Sequence, residues 1–247
     1  MNGRELMKLP RSISPCPIVE TVFEVRFRTS TPGDAVLGLV YQALREQLPK
    51  VEVLPIGTLP ASMRQADPTL DYQPHHRLTG GSVAALIGPR VFALTWSGDY
   101  PGWPEFSKVV EQAFDKVKGT GLIESVERFG LRYISLFPGD VLSRMTLALT
   151  LNGTPLVGRG TSMRTVLEQP GCQCQLHIGK DMALAGNPAK GGTIIDIDAH
   201  LASDPQTALP DVPAFLETAH LAEKELFFSL LKEDFLKTLN PIYDPAV

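Results

Sequence analysis

Hydrophobic positions along this chain follow two periods, and each change of period marks a change of element. Val19, Thr21, Phe23, Val25 and Phe27 alternate with Glu20, Glu24, Arg26 and Arg28, the pattern of a half-buried strand. Thr31-Pro32-Gly33-Asp34 ends it, and Val36, Leu39, Val40, Ala43 and Leu44 then recur at helical spacing until Pro49. Residues 53–78 contain Pro55, Pro60, Pro68 and Pro74 and keep no period, so they read as a long loop. Loops of this length serve binding or partner contact more often than mere connection. Apolar runs at 82–87 and 91–96 flank Gly88-Pro89-Arg90, a hairpin pattern.

Pro104 occupies a position where a first helical turn tolerates proline, and Phe106, Val109, Val110, Ala113, Phe114 and Val117 form one stripe that Gly119 and Gly121 terminate. The strand predicted at 125–137 turns Phe129, Leu131, Tyr133 and Phe137 to a core and Arg128, Gly130 and Arg132 to the opposite side. The order is then β-α-β-β-α-β, that of a ferredoxin-like unit. Further on, 146–151, 164–168, 173–178 and 193–201 read as strands, with a long connection at 179–192. A closing helix is expected from an Asp211 cap and a first-turn Pro213 to Leu239, ahead of Pro241. The expectation is therefore an α+β chain of two closely packed subdomains. Residues 1–140 form the ferredoxin-like half, and 141–247 form a second antiparallel sheet with a long C-terminal helix.

Composition narrows the classes of function. With 247 residues, 43% hydrophobic and 20% charged, the chain can bury an ordinary globular core. A net charge of −4 argues against nucleic acid as the partner, because phosphate binding needs clustered Lys and Arg. The cysteines Cys16, Cys172 and Cys174 are odd in number and too few for a disulfide framework, which points to a reducing cytoplasm. No run of about 18 apolar residues offers a membrane span, and a soluble protein is expected.

Three stretches carry a family resemblance: Pro17-Ile18-Val19-Glu20, Glu127-Arg128-Phe129-Gly130-Leu131-Arg132-Tyr133-Ile134, and Asp196-Ile197-Asp198 ahead of the terminal helix. Together they resemble a sporadically distributed bacterial family of uncharacterised proteins. The resemblance implies no catalytic set and no cofactor, and its patchy distribution suggests an accessory component of a defence or mobile locus. Many members carry an Asn after the Tyr-Ile pair, where this chain has Ser135.

Several clusters could carry chemistry. Glu20, Glu24, Arg128 and Arg132 would face one another on the helix-free side of the sheet, either as a cross-strand ladder or as an anion site in which Gly130 lets a ligand approach. Asp196, Asp198 and His200 share a strand face at the i, i+2, i+4 spacing of hard-cation ligands, a pattern that a solvated strand shows equally well. Cys172, Cys174 and His177 lack zinc spacing, because the histidine points away from the thiols. His75 and His76 lie beside Tyr72 in the long loop. No P-loop, nucleophile elbow, dinucleotide fingerprint or HExxH motif is present.

The terminal helix is apolar on more than one side, and the surplus Phe227 and Leu231 could bury against a second chain. These features together suggest a non-enzymatic binding or assembly protein with another protein as its partner, or a homodimer through the terminal helix. The alternative is a small-ligand (anion) sensor or enzyme with a pocket between the two halves.

Overall fold

A computed structural model describes residues 8–156, 160–184, 187–201 and 211–244, with 65, 182–184 and 187–190 followed in backbone only. In chain order the elements are β1 (Ile18–Arg28), α1 (Gly33–Leu44), β2 (Lys50–Val53), α2 (Ala61–Ala66), β3 (His76–Gly80), β4 (Val83–Gly88), β5 (Val91–Ser97) and α3 (Trp103–Lys118). There follow β6 (Ser125–Pro138), the small hairpin β7 (Thr150–Leu151) and β8 (Thr154–Pro155), β9 (Ser162–Gln169), β10 (Cys172–Leu184), β11 (Asn187–His200), α4 (Val212–Ser229) and α5 (Glu233–Thr238).

The alternation read along 19–27 and 125–137 sets the two faces of the sheet. Phe23, Val25 and Phe27 of β1 pair in antiparallel register with strand β6, and they are buried together with Phe129, Leu131 and Tyr133. On this face α1, α3 and α4 complete the core. Phe23 stacks on Phe129 at 5.8 Å, Phe129 on Phe215 of α4 at 5.4 Å, and Phe114 of α3 meets both Phe23 and Phe129 edge-on. Such ring pairs add about 0.5–1.5 kcal/mol each beyond the area they bury.

The protein is mixed α+β, but strands β9–β11 do not form a second sheet. They extend the first, giving one nine-stranded antiparallel sheet in the order β2-β3-β4-β5-β1-β6-β11-β10-β9. β6 is long enough to pair with β1 on one edge and with β11 on the other, from Gly192↔Pro138 to His200↔Gly130. Strand periodicity predicts the faces of β11; it carries no information about which edge β11 will join.

Other boundaries differ from expectation. Residues 53–78 are not one loop: β2 ends at Val53, short helical turns fill the middle, and His76 opens β3, which pairs β2 with β4. The strand expected at 146–151 shrinks to Thr150–Leu151. The connection expected at 179–192 is largely strand, since β10 runs to Leu184 and β11 begins at Asn187; residues 185 and 186 lie outside the described residues.

The closing helix starts as expected, with the Asp211 side chain accepting from Ala214 N at 3.3 Å and proline in the first turn. It stops at Ser229 and resumes as α5. Its apolar surplus is used within the chain. Phe227 stacks on Phe137, Leu231 bridges to Met145, and both are buried. The argument for a homodimer through this helix therefore loses its footing. Beyond α5 the chain returns to its own beginning, where Arg11 N donates to Ile242 O and Ser14 N to Leu239 O.

Candidate functional site

The helix-free face of the sheet carries the charges that the sequence placed there. Arg128 of β6 donates from Nη1 to Glu24 Oε1 at 2.8 Å and from Nη2 to Asp198 Oδ2 at 2.6 Å, so one guanidinium ties β1 to β11 across its own strand. Arg132 makes a two-pronged contact with Asp196, Nε to Oδ1 at 2.7 Å and Nη2 to Oδ2 at 2.6 Å. Arg26 donates to Glu24 as well, and His177 of β10 stands 3.8 Å from Asp196 with its other nitrogen 2.9 Å from Ser162 Oγ. Glu20 makes no hydrogen bond among the described residues. Burial raises its carboxyl above the usual range, and the neighbouring Arg132 works against that rise.

Gly130 has a role different from the one expected of it. A Cβ there would run into the Arg128 guanidinium, so the missing side chain makes room for the arginine that folds across the strand. Both arginine forks are filled by carboxylates of the same chain, and the ladder is structural charge pairing rather than an open anion site.

The carboxylates expected as cation ligands are taken by the same pairing. Asp196 and Asp198 face the arginines, while His200 Nδ1 lies 3.3 Å from the Asp198 backbone carbonyl. Among the described residues no group of His, Cys, Asp and Glu is arranged to hold a metal. Cys172 and Cys174 are buried on the helix side of β10, away from His177, as their spacing implied. His75 and His76 do not converge on a site. Burial lowers both, and His75 Nε2 has no hydrogen-bond partner among the described residues.

Tyr72 belongs to a second charge cluster. Its hydroxyl donates to Glu127 Oε2 at 2.7 Å, and its ring lies between the guanidinium groups of Arg26 and Arg90 at 5.1 and 5.0 Å. Partial burial works to raise Glu127, but hydrogen bonds from Arg28, Tyr72 and Arg90 outweigh it and hold the carboxyl below its usual range. This cluster pins the 55–74 segment to the end of β6.

A concavity lies on the other side of the sheet. A cavity of about 640 Å³ opens beneath α4. Its walls are the 11–18 segment, the 100–104 turn, Tyr133 and Ser135 of β6, and one face of α4. Gly102 has φ 96°, a left-handed conformation that glycine adopts freely, and this turn directs the chain into α3 with Tyr100 and Trp103 on the cavity wall.

Polar groups in this wall are few and connected. Tyr100 Oη lies 3.3 Å from Tyr133 Oη, which lies 3.2 Å from His220 Nδ1, and the His220 ring stacks flat on Trp103 at 4.0 Å. Burial, with help from Lys224, pushes His220 down to about 3. Burial lifts Glu223, one turn along, to about 8 against a smaller opposing pull from Lys224. The Glu223 carboxyl has no hydrogen bond and no ion pair among the described residues. Its oxygens are not among the side-chain atoms sealed from solvent without a partner, so this carboxyl, on a buried residue, is presented to the cavity it lines.

Pro17, Ile18 and Tyr133 of the cavity wall lie in the stretches that carry the family resemblance, but the sequence did not single out Tyr100, Trp103, His220 or Glu223. Tyr133 was read as core, which its ring is, but the hydroxyl at its tip reaches the cavity. One trace was legible. Glu223 has Ala219, Ala222, Leu226 and Phe227 at the i−4, i−1, i+3 and i+4 positions, so it is a charged residue set into an apolar stripe. No protein-family model matches this chain, and no curated protein is similar to it.

Proposed function

We propose that this protein binds a small organic molecule in the cavity beneath α4 and acts as a ligand-responsive binding protein. The observation that carries this reading is the buried, unpartnered Glu223 carboxyl inside a largely apolar, aromatic cavity of about 640 Å³. Small-molecule sites are of this size and kind, an apolar wall with a few placed polar groups. The cavity draws its wall from both halves of the chain, with Tyr100, Trp103 and Tyr133 from the first and His220, Glu223 and Phe227 from the second. The ordering of the four strands β4-β5-β1-β6, with α1 and α3 over one face, supports reading the first half as a ferredoxin-like unit that β9–β11 extend.

Cys16 lies in the cavity wall and is the exposed thiol of the chain, whereas Cys172 and Cys174 are buried. Occupancy can therefore be read at one atom. A neutral aromatic probe, tert-butylbenzene, is expected to slow alkylation of Cys16 by N-ethylmaleimide and to perturb the fluorescence of Trp103, with Trp103→Phe as the control for Trp96. Unchanged alkylation and fluorescence up to the solubility of the probe, together with no co-purifying adduct in native mass spectrometry, would overturn the reading.

A protein partner is the second reading. It rests on the sheet edge, where Val51 and Val53 of β2 are about half exposed, at 49% and 53%. An unpaired edge with apolar side chains is suited to strand addition. If it is used, Val51→Lys with Val53→Lys abolishes co-purification of the partner and leaves Cys16 protection unchanged.

A further inference from the structure

From the aromatic wall and the position of the Glu223 carboxyl within it, we infer that the cavity takes a small organic cation, an ammonium or amidinium group on an apolar body. The inference rests on the ligand-binding reading above and names the chemistry of its ligand. An anion is disfavoured, since it would sit against the carboxyl group, and the pull of the nearby Lys224 only partly offsets the burial of that group. A wholly neutral hydrocarbon would fill the space but leave that carboxyl without a partner. A cation satisfies the carboxylate and also lies among the aromatic side chains of Tyr100, Trp103, Tyr133 and Phe227 that line the cavity, the combination by which proteins hold ammonium groups.

The groups around the carboxyl leave this task to Glu223. Lys224 lines the same cavity but forms no ion pair with it among the described residues. Arg11 at the mouth is 3.7 Å from Asp244. On the approach to the site, the Tyr100 and Tyr133 hydroxyls are raised by burial, Cys16 and the nearby Cys174 are raised, and His220 is lowered. Between pH 6 and about 8, Glu223 is then the group in this set that changes charge. A permanently charged guest binds its ionised form, so its uptake releases one proton from the carboxyl and strengthens as pH rises.

The test compares phenyltrimethylammonium with tert-butylbenzene, which has the same shape without the charge. Both are followed by protection of Cys16 from N-ethylmaleimide and by Trp103 fluorescence. At pH 8.5 the cation is expected to bind at least tenfold more tightly than its neutral isostere. Its affinity should fall roughly tenfold per pH unit below about pH 8, and Glu223→Gln should abolish both the preference and the pH dependence. Equal binding of the two probes, or tighter binding of tert-butylbenzene, overturns the cation assignment and leaves the cavity reading standing. Binding of neither overturns both. The wild-type ratio decides the matter by itself, so the test does not depend on the folding of the variant.

Discussion

Two sets of ionisable groups lie on opposite faces of the same sheet, and their environments differ in one respect. On the helix-free face every arginine of the ladder has a carboxylate within 2.8 Å. Under α4 a single carboxyl is buried with none. Charge density alone would have pointed to the first face as the site, and geometry points to the second. A paired charge already has its interaction within the chain, whereas an unpaired buried one retains unfavourable free energy that a ligand can relieve.

The largest effect that would sharpen this contrast is expected from Arg128→Ala. It removes the guanidinium that joins β1 to β11, leaving the mostly shielded Asp198 without that partner while Glu24 keeps Arg26, and should lower stability by about 3 kcal/mol in urea unfolding. Cys16 protection by a cavity probe should not change. If stability holds and binding fails, the ladder is the site and the comparison is reversed.

Glu223→Gln should act in the opposite direction. The folded-state value of about 8 lies above the ordinary carboxyl value of 4.5, so the stability linked to this group is complete below about pH 4.5 and is lost as pH rises to about 8. His220 has the reverse sign: held near 3 against 6.5, it costs stability as pH falls below 6.5. The two slopes cancel between about pH 4.5 and 6.5, and above that range Glu223 alone lowers stability by up to about 1.4 kcal/mol per pH unit. At pH 7 the glutamine variant is expected to be more stable by roughly 2–3 kcal/mol. Thermal unfolding measured from pH 4 to 9 would show the decline in wild type and its absence in the variant.

Gly130→Ala is a smaller perturbation. Its new methyl displaces the Arg128 guanidinium, which can swing away, so a loss of about 1–2 kcal/mol is expected by denaturant unfolding. Combined with Arg128→Ala it should add little, because the obstacle is already gone. The smallest effect belongs to Arg132→Lys, which keeps the charge beside Asp196 but loses the two-pronged fork. Arg132 is 44% exposed, and under about 1 kcal/mol is expected, shrinking further at high salt.

Much of the fold was legible from residue periodicity. The faces of β1, β6 and β11, the stripe of α3 and the Asp211 cap of α4 follow from local spacing and local chemistry, which a sequence displays directly. The charged face was legible for the same reason, but of the expected ladder only the Arg128–Glu24 pair forms, while Arg132 and the second prong of Arg128 go to Asp196 and Asp198 of β11. Edges were not legible. A strand with alternating side chains reads the same whether its backbone joins a new sheet or an existing one, and the proline-rich stretch at 53–78 obscured the short edge strand β2 and its neighbour β3, which pairs on its other side with β4.

By itself, then, the sequence determined which side chains face the core and which face water, because alternation and helical spacing act within a few residues. Only the tertiary structure decided that β11 docks on β6, that Phe227 and Leu231 are consumed inside the chain, and that Tyr100, Tyr133, His220 and Glu223 line one cavity. These residues are separated by up to 123 positions, and what joins them is the close packing of α4 and the 100–104 turn over one central strand. Burial, which makes Glu223 informative, is a property of that packing and has no counterpart in the order of residues.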